Sequence, residues 1–138
     1  MRRAPWLLAL VLAAAAHAGE PAGAGDATVA LYERMDAGDL PGVIRLLPPD
    51  GFTELGGDAL VPHRVDAAAF AGLFKSGARI SLHAIDVREQ RLGDTAVVTG
   101  VRVGAIGEAR EASVPFSMVW THDGTRWTLR HVHLSSPR

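Results

Sequence analysis

The sequence predicts an α+β domain in which short helices precede a set of long antiparallel strands. Between residues 26 and 75, apolar side chains recur every three or four positions, between capping residues and helix-ending glycines, as in amphipathic helices. From Ile80 onward they recur at every second position, as in strands with one buried face. Because the helices and strands are segregated along the chain, the pattern indicates helices packed on an antiparallel sheet.

The first eighteen residues have the features of a secretory signal peptide. The basic pair Arg2-Arg3 precedes an uncharged apolar run over residues 6–16, and Ala16-His17-Ala18 offers the small-x-small pattern that signal peptidase cleaves after. The apolar run is shorter than the roughly 20 residues that a membrane-spanning helix needs. The alternative is a buried N-terminal helix, but the glycine-rich segment that follows would anchor such a helix poorly.

Cleavage after Ala18 would remove 18 of the 138 residues and leave 120, which suffices for one domain core. We expect a cleaved signal peptide at residues 1–18, a flexible spacer at 19–25 and a single domain at 26–138. The expected location is periplasmic or secreted, with no membrane attachment after cleavage of the signal peptide.

The charge balance and the absence of cysteine exclude several kinds of site. No disulfide, cysteine nucleophile or lipid-anchoring cysteine is available. Removal of Arg2 and Arg3 from the 14 basic residues leaves 12 against 15 acidic residues, so the mature chain carries a net charge of −3. Since no basic face stands out, nucleic acid is not an expected partner.

The first two predicted helices have recognisable ends. Asp26 can cap a helix that runs through Met35 and ends at Gly38. Asp39 can cap a second helix, with a proline in its first turn, which Pro48-Pro49 stops.

A loop over residues 51–65 follows, with one or two short strands expected around Phe52–Leu55 and Leu60–Pro62. Asp66 can then cap a third helix, which Gly77 closes.

Four long strands are expected after the third helix. In the first, the buried positions change parity between Ala84 and Ile85, which predicts a β-bulge or bend. The turn Gly93-Asp94 and a loop over residues 106–110 delimit the second strand, around residues 97–103. The third strand alternates from Ala112 to Trp120, Asp123-Gly124 is a strong hairpin signal, and the fourth strand alternates from Trp127 to His133.

Three segments resemble the nuclear transport factor 2-like superfamily and, within it, the small bacterial SnoaL-like branch. They are the helix end and Gly-Asp step Leu31-Tyr-Glu-Arg-Met-Asp-Ala-Gly-Asp39, the hairpin Trp120-Thr-His-Asp-Gly-Thr-Arg-Trp127, and the closing strand Trp127-Thr-Leu-Arg-His-Val-His-Leu-Ser135. The resemblance covers residues 26–135. These motifs are mostly packing and turn residues, so they specify a fold better than an activity.

The resemblance implies a cone, formed by a curved antiparallel sheet wrapped around three N-terminal helices, with a pocket at its open end. It also implies a homodimer that pairs through the outer face of the sheet. Enzymes of the superfamily include cofactor-independent dehydratases, isomerases and cyclases that use Asp, His or Tyr in the pocket, whereas other members bind ligands or assemble. No cofactor or metal is therefore expected.

His131 and His133 are the most prominent candidates for chemistry, because residues two apart on a strand face the same way. A two-residue turn at Asp123-Gly124 would place them opposite Phe116 and Val114, on the apolar face of the neighbouring strand, while a longer loop would change the register. Neutral imidazoles there can act as general bases or ligate a metal. Alternatively, both are hydrogen-bonded structural residues. A third metal ligand would have to come from elsewhere in the fold.

Other side chains are candidates for the pocket implied by the resemblance. Glu54 lies in the segment that forms the mouth of the cone in that fold, and it is either an acid–base group or an ordinary surface carboxylate. Tyr32, the only tyrosine, either offers its hydroxyl to the pocket or flanks the apolar stripe of the first helix. Ligand contacts are also predicted for four large side chains of the last two strands, which otherwise belong to the core or dimer face: Phe116, Met118, Trp120 and Trp127.

The sequence leaves the choice between a binding protein and an enzyme open. One hypothesis is an exported module that dimerises or holds a small, mostly apolar molecule in the cone. The alternative is a cofactor-independent lyase or isomerase, with His131 or His133 as the acid–base group and Glu54 or Tyr32 as its partner. A purely structural domain, with the pocket filled by side chains, is the third. The Asp-His pair of the superfamily's enzymes is not traceable in this sequence.

Overall fold

The computed structural model describes residues 19–137, so the predicted signal peptide at residues 1–18 lies outside the described residues. Three helices precede most of a six-stranded sheet, which confirms the α+β prediction. The elements are α1 (Ala24–Asp36), α2 (Leu40–Ile44), β1 (Phe52–Gly56), β2 (His63–Val65), α3 (Ala67–Lys75), β3 (Ile80–Leu92), β4 (Thr95–Ile106), β5 (Ala112–His122) and β6 (Trp127–Leu134). Within this part of the chain, no helix has the length and apolar character needed to cross a bilayer.

Helix α1 begins at Ala24, so it takes in the last two residues of the predicted spacer. Gly23 occupies the N-cap position without a side-chain bond, and Asp26 lies in the first turn rather than at the cap. A carboxylate in the first turn still interacts favourably with the helix dipole, although it does not start the helix. Gly38, at φ +67°, ends the segment as predicted, because this left-handed conformation favours glycine.

The caps predicted for the other two helices are confirmed. The Asp39 carboxylate accepts a hydrogen bond from the Gly42 N–H at 3.0 Å, and the Asp66 carboxylate accepts one from the Ala69 N–H at 2.9 Å. Arg34 of α1 donates from Nη1 to the Gly42 carbonyl at 2.7 Å, which ties α1 to α2.

The sheet has the order β2-β1-β6-β5-β4-β3 and is curved and unclosed, as the cone prediction requires. All neighbouring strands are antiparallel except β1 and β6, which run parallel. Strand β1, from the helical half of the chain, therefore packs beside the last strand. The predicted strand at residues 60–62 is wrong, because Phe52 pairs with Val65 and this register places β2 at residues 63–65.

The predicted bulge is present in β3, where the register with β4 shifts between Ile85 and Arg88. Asp86 lies in this interval at φ +52°, a left-handed conformation that aspartate tolerates better than most residues. A bulge increases the local twist and bends the strand, so it contributes to the curvature of the sheet.

The core lies between the inner face of the sheet and the helices. Inner positions of β4 and β5 are fully or almost fully buried, among them Ala96, Val98, Met118 and Trp120. The tight packing of α1 against this face closes one side of the cone, and α3 contributes Phe70, whose ring lies 6.2 Å from that of Phe52.

Candidate functional site: a small cavity beneath the sheet

A cavity of about 180 Å³ lies between α1, α3 and the inner face of the sheet. Its walls are mostly apolar and come from two helices and the inner face of the sheet. Helix α1 contributes Leu31 and Met35, helix α3 contributes Phe70 and Leu73, and strand β5 contributes Met118. The predicted pocket of the cone is therefore present as a small, mostly apolar space.

Three polar side chains line this cavity, each from a different element: Tyr32 of α1, Glu54 of β1 and Arg102 of β4. The sheet register explains why the two charged residues reach it. Glu54 pairs with Val132, and Arg102 pairs with Val114, and both valines are buried on the inner face. Directly paired residues share a face, so Glu54 and Arg102 project toward the helices.

Tyr32 is only 4% exposed, and its ring packs edge-on against Phe116 at a centroid distance of 5.9 Å. Burial raises the pKa of its hydroxyl well above the usual range. The Arg102 cation opposes this increase in pKa and the Glu54 carboxylate adds to it, so both charges act on the phenol. The hydroxyl consequently stays protonated across the physiological range, where it can donate a hydrogen bond.

Glu54 lies at the rim of the cavity, with 29% of its side chain exposed. The cross-strand neighbour of Glu54 is His63, and the distance between Glu54 Oε1 and His63 Nε2 is 3.6 Å. The rim thus carries a carboxylate beside an imidazole that is largely in solvent.

His131 and His133 lie on the opposite face of the sheet, so their predicted pocket placement is wrong. Strand β6 pairs through His122–Trp127 and Trp120–Leu129, and its register then shifts between Val119 and Trp120. His131 therefore pairs with Val119 and His133 with Ser117, on the outer face. A hydrogen bond of 2.6 Å joins His131 Nδ1 to Thr53 Oγ1, and His133 is exposed.

The register differs from the prediction for two reasons: the hairpin loop has four residues rather than two, and the pairing shifts by one residue between Val119 and Trp120. The Asp123 carboxylate accepts hydrogen bonds from the N–H groups of Thr125 and Arg126, both at 2.9 Å, and from the Thr125 hydroxyl at 2.7 Å. These bonds hold the pKa of Asp123 well below its usual range and stabilise the wider loop. The wider loop moves the pairing by two residues, which leaves the facing of the last strand unchanged. The one-residue shift between Val119 and Trp120 then turns the histidines outward.

The four large side chains predicted to contact a ligand differ in position. Met118 lines the cavity, and Phe116 lies behind its wall against Tyr32. Trp120 and Trp127 are core residues, 0% and 1% exposed, and they do not line the cavity. The ring of Trp127 contacts that of His122, at a centroid distance of 5.0 Å, toward the hairpin end of the sheet.

Arg102 is the one of these three polar residues that was not predicted from the sequence. Its parity in β4 matches the buried positions Ala96 and Val98, so a charged residue on the buried face was visible in the alternation. The opposite parity is more conspicuous in the sequence, because the outward positions Val97, Thr99, Val101 and Val103 are all β-branched.

The alternative in which His131 and His133 ligate a metal would need a third protein ligand close to them. Among residues 19–137, no three His, Asp or Glu side chains lie close enough together to hold a metal ion. A catalytic zinc site has three protein ligands, and His131 and His133 supply two at most.

No family model and no curated protein matches this chain. Solved structures do match it. An NTF2-like protein from Cytophaga hutchinsonii is 17% identical, with a TM-score of 0.65 over 80% of this chain and 93% of that chain. A putative dehydratase from the NTF2-like family of Streptomyces avermitilis is 22% identical, with a TM-score of 0.64 over 83% and 93%. The S. rosetta CaMKII hub is 22% identical, with a TM-score of 0.64 over 86% and 99%.

These similarities show that the chain has the nuclear transport factor 2-like fold, which confirms the resemblance at the level of fold. The matched proteins carry names as different as dehydratase and kinase hub, and one fold supports many functions. The narrower assignment to the SnoaL-like branch stays a prediction.

Proposed function

We propose that this chain is an exported protein that binds a small, mostly apolar molecule in the cavity beneath the sheet. The observation that carries the proposal is the cavity itself, with apolar walls and three polar side chains that converge from α1, β1 and β4. Small-molecule sites commonly combine apolar walls with a few well-placed polar groups. The signal-like residues 1–18 support export.

The size of the cavity limits the ligand. Apolar cavities of about 150 Å³ bind molecules as small as benzene. A cavity of about 180 Å³ therefore suits a single ring or a short branched chain with one polar substituent. Larger molecules would have to extend through the rim past Glu54.

A second candidate function is a cofactor-independent lyase or isomerase. It is favoured by the position of Glu54 and Tyr32 in one cavity, because a carboxylate can remove a proton while a protonated phenol donates a hydrogen bond to the developing oxyanion. Since His131 and His133 face away from this cavity, they are not its acid–base groups.

We also infer that the outer face of the sheet pairs with a second copy of the chain. Val97 and Val119 pair directly across β4 and β5, beside His131, and Val101 follows beyond the exposed Thr99–Ser117 pair. These three half-buried valines form an interrupted apolar strip. An apolar sheet face of this kind favours a partner that removes it from water.

Native mass spectrometry of protein purified from the exported fraction tests both the binding of a small molecule and the removal of residues 1–18. We expect a polypeptide that begins at Gly19 and carries additional mass which is lost on denaturation. A Leu73→Trp variant fills the cavity and should lose that mass, whereas Ala68→Trp, on the exposed side of α3, should keep it.

Two results would contradict the proposal. A polypeptide that retains residues 1–18 in the exported fraction would refute cleavage. A native mass equal to that of the polypeptide, together with no rise in melting temperature on addition of small aromatic probes, would refute ligand binding.

A further inference from the structure

We infer that the molecule held in this cavity is an organic anion, a small carboxylic acid whose carboxylate pairs with Arg102. The inference rests on the proposed function and narrows its ligand class. It depends on a cation that has no salt-bridge partner and that lines a mostly apolar cavity.

Arg102 has no charged partner within the described residues. The salt bridges of residues 19–137 join Arg45 to Glu20, His63 to Glu54, and Arg64 to Asp50, so no carboxylate lies within 4.0 Å of the Arg102 guanidinium. Arg102 is half-buried, and its inner-face position in β4 directs it into the cavity. Glu54, the one carboxylate that shares the cavity, is more than 4.0 Å away and lies beside His63.

An unpaired guanidinium among apolar side chains is unfavourable, because it loses hydration without gaining a counterion. An anion that enters the cavity would replace the lost water. Guanidinium is planar and always charged, and its N–H groups match the two oxygens of a carboxylate. A small carboxylic acid therefore satisfies both the cation and the apolar walls.

The Tyr32 hydroxyl supplies a second donor for the same carboxylate. The positive charge of Arg102 acts on this hydroxyl, which stays protonated because burial raises the pKa of the phenol. The Arg102 cation lowers the pKa of this phenol, whereas the Glu54 carboxylate raises it. This end of the cavity favours a negative group.

Glu54 would orient the ligand rather than hold its carboxylate. A carboxylate at the rim repels a second carboxylate and accepts hydrogen bonds from a hydroxyl or amine. The ligand would thus place its carboxylate toward Arg102 and Tyr32, its apolar part between α1 and α3, and any donor group toward Glu54.

Isothermal titration calorimetry of the mature chain, Gly19 to Arg138, tests the inference by measuring its affinity for three probes of similar size: benzoate, benzamide and toluene. We expect benzoate to bind at least about tenfold more tightly than benzamide at pH 7, because a hydrogen bond to a charged group is stronger than a neutral one. Arg102→Met should abolish this preference, because benzoate loses affinity relative to both uncharged probes. Arg88→Met, an exposed arginine on β3, should retain the preference.

The outcomes separate this inference from the proposed function. Equal binding of benzoate and benzamide by the wild-type chain would overturn the inference, while the cavity would still be a ligand site. Failure of all three probes to bind would overturn both. If Arg102→Met does not fold, Arg102→Lys keeps the charge without the two-pronged geometry, and it should still prefer benzoate to benzamide; equal affinities there would overturn the inference.

Discussion

Tyr32 combines the two properties that a ligand-binding phenol needs. It is buried, so its neutral form is strongly favoured, and it shares the cavity with Arg102, so an anion placed there would meet a donor and a cation. Because it is the only tyrosine of the chain, its ionisation can be followed without substitution of other residues.

The raised pKa of Tyr32 predicts a loss of stability at high pH. The unfolded chain releases the phenolic proton near pH 10, whereas the folded chain keeps it, so the unfolded state binds fewer protons above that pH. The free energy of unfolding should then fall by about 1.4 kcal/mol for each pH unit above 10, relative to a Tyr32→Phe variant. Urea titrations of both proteins between pH 9 and 11.5, with absorbance at 295 nm, would measure this difference.

Below pH 9 the contribution of the phenol is fully present, so the difference between the two proteins should not change with pH there. A wild-type phenol that titrates near pH 10 in the folded state would show that Tyr32 is not shielded from water.

At the scale of elements, the hairpin between β5 and β6 decides which face the last strand presents. Asp123-Gly124 predicts a hairpin correctly, but the bonds of the Asp123 carboxylate organise four loop residues instead of two. The register shift between Val119 and Trp120 then determines that Leu129 and Val132 face inward while His131 and His133 face outward.

The Asp123 carboxylate predicts a stability difference that depends on acid pH. Asp123→Ala removes the acceptor of three loop hydrogen bonds, so its melting temperature at pH 7 should be lower than that of the wild type. The folded-state pKa of Asp123 lies below its unfolded value of about 3.9, so its stabilisation is present above that pH. The difference in melting temperature should shrink as the pH falls from 4 toward 2.

Calorimetry of the wild type and Asp123→Ala from pH 2 to 7 would measure this difference in melting temperature. Asp58→Ala, in another exposed loop, is the control. A difference that is constant across this range would assign the effect to lost packing rather than to the charged carboxylate.

At the scale of the whole molecule, the curved sheet separates two surfaces of different composition. Its inner face carries the core and the cavity, while its outer face carries the valine strip and both candidate histidines. One face is thus available for a ligand and the other for a second copy. The hydrogen bond between His131 and Thr53 joins β6 to β1 on that outer face, which suits the structural role considered for the histidines.

Pairing through the outer face predicts a dimer that a single charge disrupts. Val119→Arg places a cation in the middle of the apolar strip, so it should convert the dimer into a folded monomer. Ala68→Arg, on the exposed side of α3, should leave the dimer intact. Analytical ultracentrifugation gives the mass of each species, and a wild-type chain that is monomeric at high concentration would rule out pairing through this face.

The α+β class, the caps at Asp39 and Asp66, and the bulge in the first long strand could be predicted from the sequence, because each depends on neighbours within a few residues. Features that depend on the pairing of distant segments emerge only in the folded chain. The parallel contact of β1 with β6 brings Glu54 to the inner face, and α1 brings Tyr32 to the same cavity as Arg102. The register shift between Val119 and Trp120 likewise turned His131 outward, because one residue of register reverses every side chain of a strand.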